Sequence, residues 1–385
     1  MIGLILLAVY ALTLFGVMGW MGLIGLRFRG TLTEHPLPDE PPSVSTVVPA
    51  RNEERNIGRC ATGLTHQDYP YLQMVFVDDD SEDATGDILA AFAARDGRIK
   101  VINTGGKPDD WNGKQWACWS GAQAASGDWL CFMDADTYAE PHLLTRTVAF
   151  AEEHNIDMLT LQPWYETRGL WERIILPQAL PPILMVFPPG RVNDPDDPLS
   201  MANGQFILIR RSVYDAVDGH RGVKAEMMDD FSLAERVHGQ GYQIFVAEGF
   251  DVMRVRLYTN LREIWAGAIK AAVQLTGGWQ ATLALAIGNL LLNTLPALLL
   301  IVFAVVGYTP GVIIMALLVI WQVVFYGTIR LMAFRAPPWT AVVYPFAGIL
   351  SSLIIADGIV RVARGGEIKW KGRDVLGRPT LPTRK

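Results

Sequence analysis

Residues 44–104 read VSTVVPARNEERNIGRCATGLTHQDYPYLQMVFVDDDSEDATGDILAAFAARDGRIKVINT. Three short runs rich in Val and Ile (VSTVVPA, LQMVFV, IKVINT) alternate with two helix-like runs, GRCATGLTHQ and GDILAAFAARDG. That alternation is the pattern of a parallel α/β sheet, in which ligands meet the chain at the carboxyl ends of the strands. The polar residues that follow each strand are therefore the candidates for chemistry.

The same grammar continues downstream. DWLCFMDAD (128–136) reads as a strand ending in carboxylates and DMLTLQP (157–163) as a further strand. GQFILIRRSVYDAV (204–217) reads as a strand feeding a helix, and MMDDFSLAERVHGQGY (227–242) as a helix with a glycine stop. YQIFVAEG (242–249) closes the series. We bound this soluble α/β domain at residues 44–260.

Around it the composition is that of a membrane protein. The chain has 385 residues, is 50% hydrophobic and has a mean hydropathy of +0.22. Met1–Leu26 carries no charge and is long enough to cross a bilayer. It lacks the charged start and small-residue cleavage site of a signal peptide, and Arg27 and Arg29 follow it, so it reads as an uncleaved anchor with the next segment cytoplasmic. Residues 27–43, including TLTEHPLPDEPPS, form a Pro-rich linker.

Residues 261–280 are amphipathic and suit an interfacial helix, and Ile174–Pro189 reads as interfacial or as ordinary core. Within 281–360, Leu283–Val306, Val312–Phe334 and Val342–Val360 have spanning length. Three such spans would carry the basic tail (361–385) to the far side, against the positive-inside rule. The last of them, which holds Pro345 and Asp357, is the segment that could be re-entrant or interfacial. The tail suits anionic head groups and equally a solvated terminus.

Composition also excludes. Cys60, Cys118 and Cys131 have no paired spacing, which argues against a disulfide framework or a zinc site. A net charge of -6 offers no global field for nucleic acid. GGKPDDWNGKQ fails as a phosphate loop, and no dinucleotide fingerprint, zinc-hydrolase histidine pair or nucleophile elbow is present. Three acidic clusters remain: Asp78, Asp79 and Asp80; Asp134 and Asp136; Asp229 and Asp230. A parallel sheet brings the first two to one edge, an oxygen-rich site suited to Mg²⁺ or Mn²⁺ on a diphosphate, with Lys114 or Arg51 as an added cation. Taken alone, Asp78–Asp80 would be a turn and a cap, Asp229 a helix cap, Trp111, Trp116, Trp119 and Trp129 core, and His220 and His238 surface residues.

The ordered set VVPARNEERNI, VFVDDDSEDAT, WNGKQWA, FMDADTYAEP and MMDDFSLAERV resembles the membrane-bound family 2 glycosyltransferases of the GT-A fold. Within them it is most similar to the hopanoid-associated, carotenoid and ceramide groups. The resemblance implies an α/β GT-A domain with a Rossmann-like mixed sheet, set between an N-terminal transmembrane helix and a C-terminal transmembrane bundle. It implies a nucleotide pocket of Pro49, Arg51, Asn52, Glu53, Asp79, Lys114 and Asp134, with Asp136 holding Mg²⁺ or Mn²⁺ and Asp230 as general base. It also implies a UDP-linked sugar donor, a lipid or isoprenoid acceptor and a cytoplasmic catalytic domain at a bacterial-type inner membrane. Gln205, Asp229, Arg256 and Trp265 are candidates for the acceptor side. Where processive relatives carry Q-x-x-R-W, NLREIWAG keeps only Trp265, which favours addition of a single sugar. A processive polysaccharide synthase and a non-catalytic membrane binding protein are the alternatives.

Overall fold

The computed structural model describes residues 2–26, 30–178, 183, 186–276, 279–363, 369–370 and 373–374. Arg27, Arg29 and, but for four residues, the basic tail beyond Ala363 lie outside the described residues. So does part of the 174–189 segment. Helix α1 (Ile2–Leu26) precedes the sheet domain. There the chain alternates β1 (Val44–Ala50), α2 (Ile57–Thr65), β2 (Leu72–Asp78), α3 (Thr85–Ala93), β3 (Ile99–Asn103), α4 (Gly113–Ala124) and β4 (Trp129–Met133). Then follow β5 (Thr137–Ala139), α5 (Leu143–Glu153), β6 (Met158–Tyr165), α6 (Leu170–Ile175), β7 (Phe206–Arg210), α7 (Arg211–Ala216), α8 (Asp229–Gly239) and β8 (Ile244–Val255).

The eight strands form one sheet in the order β3-β2-β1-β4-β7-β6-β8-β5. Strands β1 to β4 are parallel, as their sequence predicts. Beyond them the sheet is mixed: β7 runs antiparallel to both β4 and β6, β8 is parallel to β6, and β5 is antiparallel to β8. Adjacent residues Val47 and Val48 are both buried because β1 is covered on both faces. One side carries Leu64 of α2, Leu89 of α3 and Val148 of α5; the other carries Cys118 of α4, Val213 of α7 and Leu233 of α8. A Cβ on Gly121 would collide with Val47 and Val77, so α4 lies close on the sheet. That contact fixes Lys114, in the first turn of α4, over the strand ends.

Register then places the acidic clusters. Ala50 pairs with Asp78 across β1 and β2, and Val47 pairs with Phe132 across β1 and β4. The chain therefore leaves β1, β2 and β4 at one edge. Asn52 and Asp80 both sit in left-handed backbone at φ 52° and 53°. Their loops are laced together: Asn52 N–H donates to Ser81 Oγ (3.0 Å), Glu82 N–H to Asn52 Oδ1 (2.8 Å) and Glu53 N–H to Thr85 Oγ1 (2.8 Å).

After the sheet come α9 (Leu261–Thr276), α10 (Trp279–Asn293), α11 (Leu295–Val305), α12 (Thr309–Phe334) and α13 (Tyr344–Ala363). Gly3–Leu23, Thr309–Phe334 and Tyr344–Arg361 are long and apolar enough to span, and α10 with α11 makes a fourth candidate bent by 43°. The run read as continuous from Leu283 to Val306 is thus two helices. Pro296 has no N–H to give the carbonyl of Leu292, and the Gln322 side-chain amide donates to that carbonyl instead, at 2.5 Å. Tyr344 Oη in turn donates to Gln322 Oε1 at 2.6 Å. Asn293 Nδ2 donates to Asn289 Oδ1 at 2.6 Å and Asn289 Nδ2 to Gly348 O at 2.7 Å. Amides and hydroxyls thus join the apolar helices where lipid offers no partner.

Candidate functional site

The site is assembled around Lys114. Its Nζ lies 2.8 Å from Asp134 Oδ1, just past the end of β4. On the other side, α8 begins with Asp229 and Asp230. Asp230 Oδ2 accepts the Gly204 N–H at 2.9 Å and Oδ1 accepts the Phe231 N–H at 3.0 Å, which fixes the carboxylate in orientation. A Cβ placed on Gly204 would lie 3.0 Å from Asp230 Oδ2 and 3.1 Å from Lys114 Nζ. Gly204 is thus the wall that carboxylate and ammonium share, and only glycine leaves that space open. Pro49, Asp134, Gly204, His220 and Asp229 line the same pocket as Lys114.

Electrostatics follow from this crowding. Burial, then Asp229, pushes the Asp230 carboxyl up to about 6, against the opposing pull of Lys114 and of the Gly204 and Phe231 N–H groups. Burial alone would pull Lys114 down, but Asp134, Asp229 and Asp230 outweigh it and hold the ammonium well above its usual range. Asp136 stands beside Tyr165 and Tyr258: burial, then Asp136, then Asp134, raises the Tyr258 hydroxyl to about 12. Lys114 is also why two like charges are tolerated so close after β4. Thr137 secures their turn, its Oγ1 donating to the Asp134 carbonyl at 2.7 Å.

Asp79 is buried, accepts from Thr104 Oγ1 at 3.2 Å, and its carbonyl accepts from Arg51 Nη1 at 2.6 Å. Arg51, Asn52, Glu53 and Asp79 therefore form one rigid corner beside the pocket, with Pro49 in its lining. Asp78 has the turn role, accepting the Ser81 N–H at 3.0 Å. Gln205, also buried, accepts from Asn203 Nδ2 at 3.2 Å. Arg256 pairs with the fully buried Glu172 at 3.1 Å while its backbone N–H donates to the Asp136 carbonyl at 3.4 Å, and Trp265 Nε1 donates to Asp357 at 2.8 Å. Asp229 is the first residue of α8 and Met228 holds the cap position, so the capping role expected of Asp229 is not the one it has. Trp129 is core, while Trp111, Trp116 and Trp119 cluster with ring centroids 5.1 to 5.6 Å apart.

His220 corrects an expectation. It is buried, not on the surface: its ring packs 4.6 Å from Phe132 and its Nδ1 meets Tyr214 Oη at 3.0 Å. Burial drives its pKa down to about 4, leaving it neutral beside Asp229. Sequence reading also passed over Gly204, Asn112 and Gln115. The Asn112 and Gln115 amides donate to the Glu226 carbonyl at 3.1 and 2.7 Å, tying the start of α4 to the loop that delivers Asp229 and Asp230. The Asn203-Gly204 pair is a turn signal, and Asn112 and Gln115 flank Lys114 within WNGKQWA, where the motif gives them no role of their own.

Among the described residues no group of three or more His, Cys, Asp or Glu side chains could hold a metal alone. A pair of carboxylates after one strand nevertheless fits a hard cation whose shell is completed by substrate phosphates and water, the usual arrangement for Mg²⁺. Asp136, with Asp134 beside it, is the donor set that would hold it.

Residues 45–218 match the model of "Glycosyl transferase family 2". They form a family 2 glycosyl transferase domain. Two similar curated relatives carry the name 4,4'-diaponeurosporenoate glycosyltransferase. One, from Staphylococcus haemolyticus, is 26% identical over 227 residues, 55% of this chain and 59% of its own; the other, from Staphylococcus aureus, is 25% identical over 234 residues, 58% and 60%. The chain thus spans about three fifths of the length of these relatives. Among solved structures, a mannosyltransferase from Pyrobaculum calidifontis in complex with GDP-Man and Mn2+ superposes over 90% of this chain and 99% of its own, at 19% identity and a TM-score of 0.54. That likeness establishes the shared GT-A fold of the glycosyl transferase domain and the helices around it.

Proposed function

We propose that the chain is an inverting glycosyltransferase that moves one sugar from a nucleotide diphosphate donor, UDP-linked, to a hydroxyl of a membrane lipid or isoprenoid. The observation that carries this reading is the facing of Asp230 and Lys114 across Gly204, with Asp134 on the other side of Lys114. A carboxylate and an ammonium that border the same gap can serve the two ends of one displacement. Asp230 takes the proton of the acceptor hydroxyl; the oxygen forms its bond to the anomeric carbon as the bond to the diphosphate breaks on the opposite face. Lys114 sits where negative charge grows on the leaving group. The corner formed by Pro49, Arg51, Asn52, Glu53 and Asp79 binds the nucleotide. Asp136 holds Mg²⁺ or Mn²⁺, which when bound would neutralise further diphosphate charge. The elevated Asp230 pKa suits a group that must both accept and release a proton near neutrality.

The lipid acceptor is supported by the apolar helices packed on the domain and by the relatives named for diaponeurosporenoate. Gln205 and Asp229, both near the base, are its candidate contacts. We place the domain on the cytosolic face of a bacterial-type membrane, where nucleotide sugars are made. The test is to supply purified protein in lipid with Mn²⁺ and a panel of radiolabelled nucleotide sugars. Label in an organic-soluble lipid is the expected result; label only in high-molecular-weight polymer would replace this reading with a processive synthase, and no label in either would leave a binding protein.

A further inference from the structure

The last apolar helix passes the length test for a span, yet its neighbours put its first residues at the wrong depth for one. Helix α13 runs antiparallel to α10: Ser352 Oγ donates to Ala286 O, Asn289 Nδ2 to Gly348 O, and Thr294 Oγ1 to Pro345 O at 3.0 Å. Thr294 is the joint between α10 and α11, so α13 starts beside the middle of that broken helix and pairs with its first half alone. The contact of Tyr344 with Gln322 gives the same depth: Gln322 lies twelve residues, about 18 Å at 1.5 Å per residue, before the end of α12 at Phe334. The connecting segment shows the descent, because Ala341 Cβ lies 3.4 Å from the position of a Cβ on Gly327, seven residues up α12 from Phe334.

The return is equally clear. Antiparallel to α10, the chain runs from Pro345 beside Thr294 to Ser352 beside Ala286, back toward the start of α10, and Ile354 joins the apolar cluster that holds Phe334 and Ile174. Three residues on, Asp357 accepts from Trp265 of α9 and pairs with Arg361 at 2.9 Å. The chain thus leaves the level of Phe334, reaches Tyr344 and is back at that level by Ile354, an ascent of ten residues or about 15 Å.

We propose that residues 335–363 form a re-entrant hairpin seated in one leaflet of the bilayer, the leaflet facing the sugar-transfer domain, with the acyl chains of that leaflet as its partner. This rests on the reading of the chain as a membrane protein. Its depth of 15 to 18 Å is about half of a hydrocarbon core of about 30 Å. Val342 (65% exposed), Leu353 (52%) and Phe346 (46%) supply the apolar surface that lipid covers. The Asp357–Arg361 pair then lies at the head groups instead of the bilayer centre, where charge is costly. Mean hydropathy agrees, at 1.3 for Tyr344–Arg361 against 2.1 and 2.3 for the other two long helices. The hairpin brings the C-terminus out on the side of the sugar-transfer domain and removes the conflict between three C-terminal spans and a basic tail.

Sealed vesicles and a membrane-impermeant maleimide test it. Cys60, Cys118 and Cys131 are buried, so background labelling is low. Reporters are Glu153→Cys on α5, Thr309→Cys at the start of α12, and a cysteine appended after Lys385. The expected result is that the appended cysteine labels from the same side as Glu153→Cys and opposite to Thr309→Cys. Labelling together with Thr309→Cys would make α13 a full span and overturn the hairpin. If Glu153→Cys and Thr309→Cys label from one side, the membrane reading fails and the hairpin with it, an outcome distinct from the second.

Discussion

At the residue scale the proposed reaction rests on Asp230, Lys114, Asp134 and Asp136 and on the side chain that Gly204 lacks. Gly204→Ala inserts a methyl 3.0 Å from the Asp230 carboxylate and 3.1 Å from the Lys114 ammonium without touching a strand, so we expect kcat to fall about 10- to 100-fold while the thermal midpoint moves little. Unchanged kcat would show that the gap is not where the acceptor reacts. Asp230→Asn keeps the shape and removes the base; transfer should drop by about 10²- to 10⁴-fold with donor binding retained in a nucleotide titration. The pH profile carries the sign. The Asp230 carboxyl is raised to about 6, so the protonated, inactive form accumulates as pH falls through about 6, and activity should decline on that acid limb. The unfolded carboxyl ionises near 3.8, so the raised one opposes folding increasingly as pH climbs from about 4 to about 6; Asp230→Asn should raise the thermal midpoint at pH 7.5, less so at pH 5, and not below about pH 3.8. For Asp136, replacement by Ala should remove activity together with its dependence on added Mn²⁺, and chelation of the unaltered protein should reproduce the loss; a variant active in chelator would contradict the assigned metal role.

Elements show what a sequence does and does not state about itself. Strands β1, β2 and β4 are legible because a strand buried on both faces must be a continuous apolar run, and each ends abruptly in polar residues, Arg51 and Asn52 after β1 and carboxylates after β2 and β4. The direction of β7 is not legible: an apolar run has the same pattern either way up, so the mixed half of the sheet follows from tertiary pairing alone. Strand β5 has three residues, too few for any period, and Gly204 acts through the absence of a side chain. The break between α10 and α11 was signalled by Pro296, but the Gln322 amide that makes it tolerable comes from another helix. Arg330 is a similar case, buried in α12 with its guanidinium donating to the carbonyls of Arg173 (2.6 Å) and Ile174 (3.2 Å) at the end of α6. Arg330→Met fills the space but leaves those carbonyls without donors, at a cost of about 1–3 kcal/mol, which should appear as a lowered thermal midpoint in detergent with kcat nearly unchanged.

For the whole molecule, the family motifs describe a soluble domain with helices attached, whereas the packing describes one body. Ile174 and Ile175 of the domain, Ile264 and Ile269 of α9, Phe334 of α12 and Ile354 of α13 belong to a single apolar cluster. Tyr165, the last residue of β6, stacks on Phe334 at 5.3 Å. Arg330 crosses the same boundary to the Arg173 and Ile174 carbonyls. Cutting the chain after residue 260 would therefore bare an apolar face of the domain that lies against the base-bearing half of the sheet. At about 25 cal/mol per Å² such a face drives association strongly, and the sugar-transfer domain should not behave as an independent soluble enzyme. Residues 30–260 expressed alone should elute as aggregate on size exclusion, whereas the full chain in detergent should elute as a discrete species. A monodisperse, active 30–260 fragment would show instead that the helices only tether a self-sufficient enzyme, and that acceptor lipids reach Asp230 without their help.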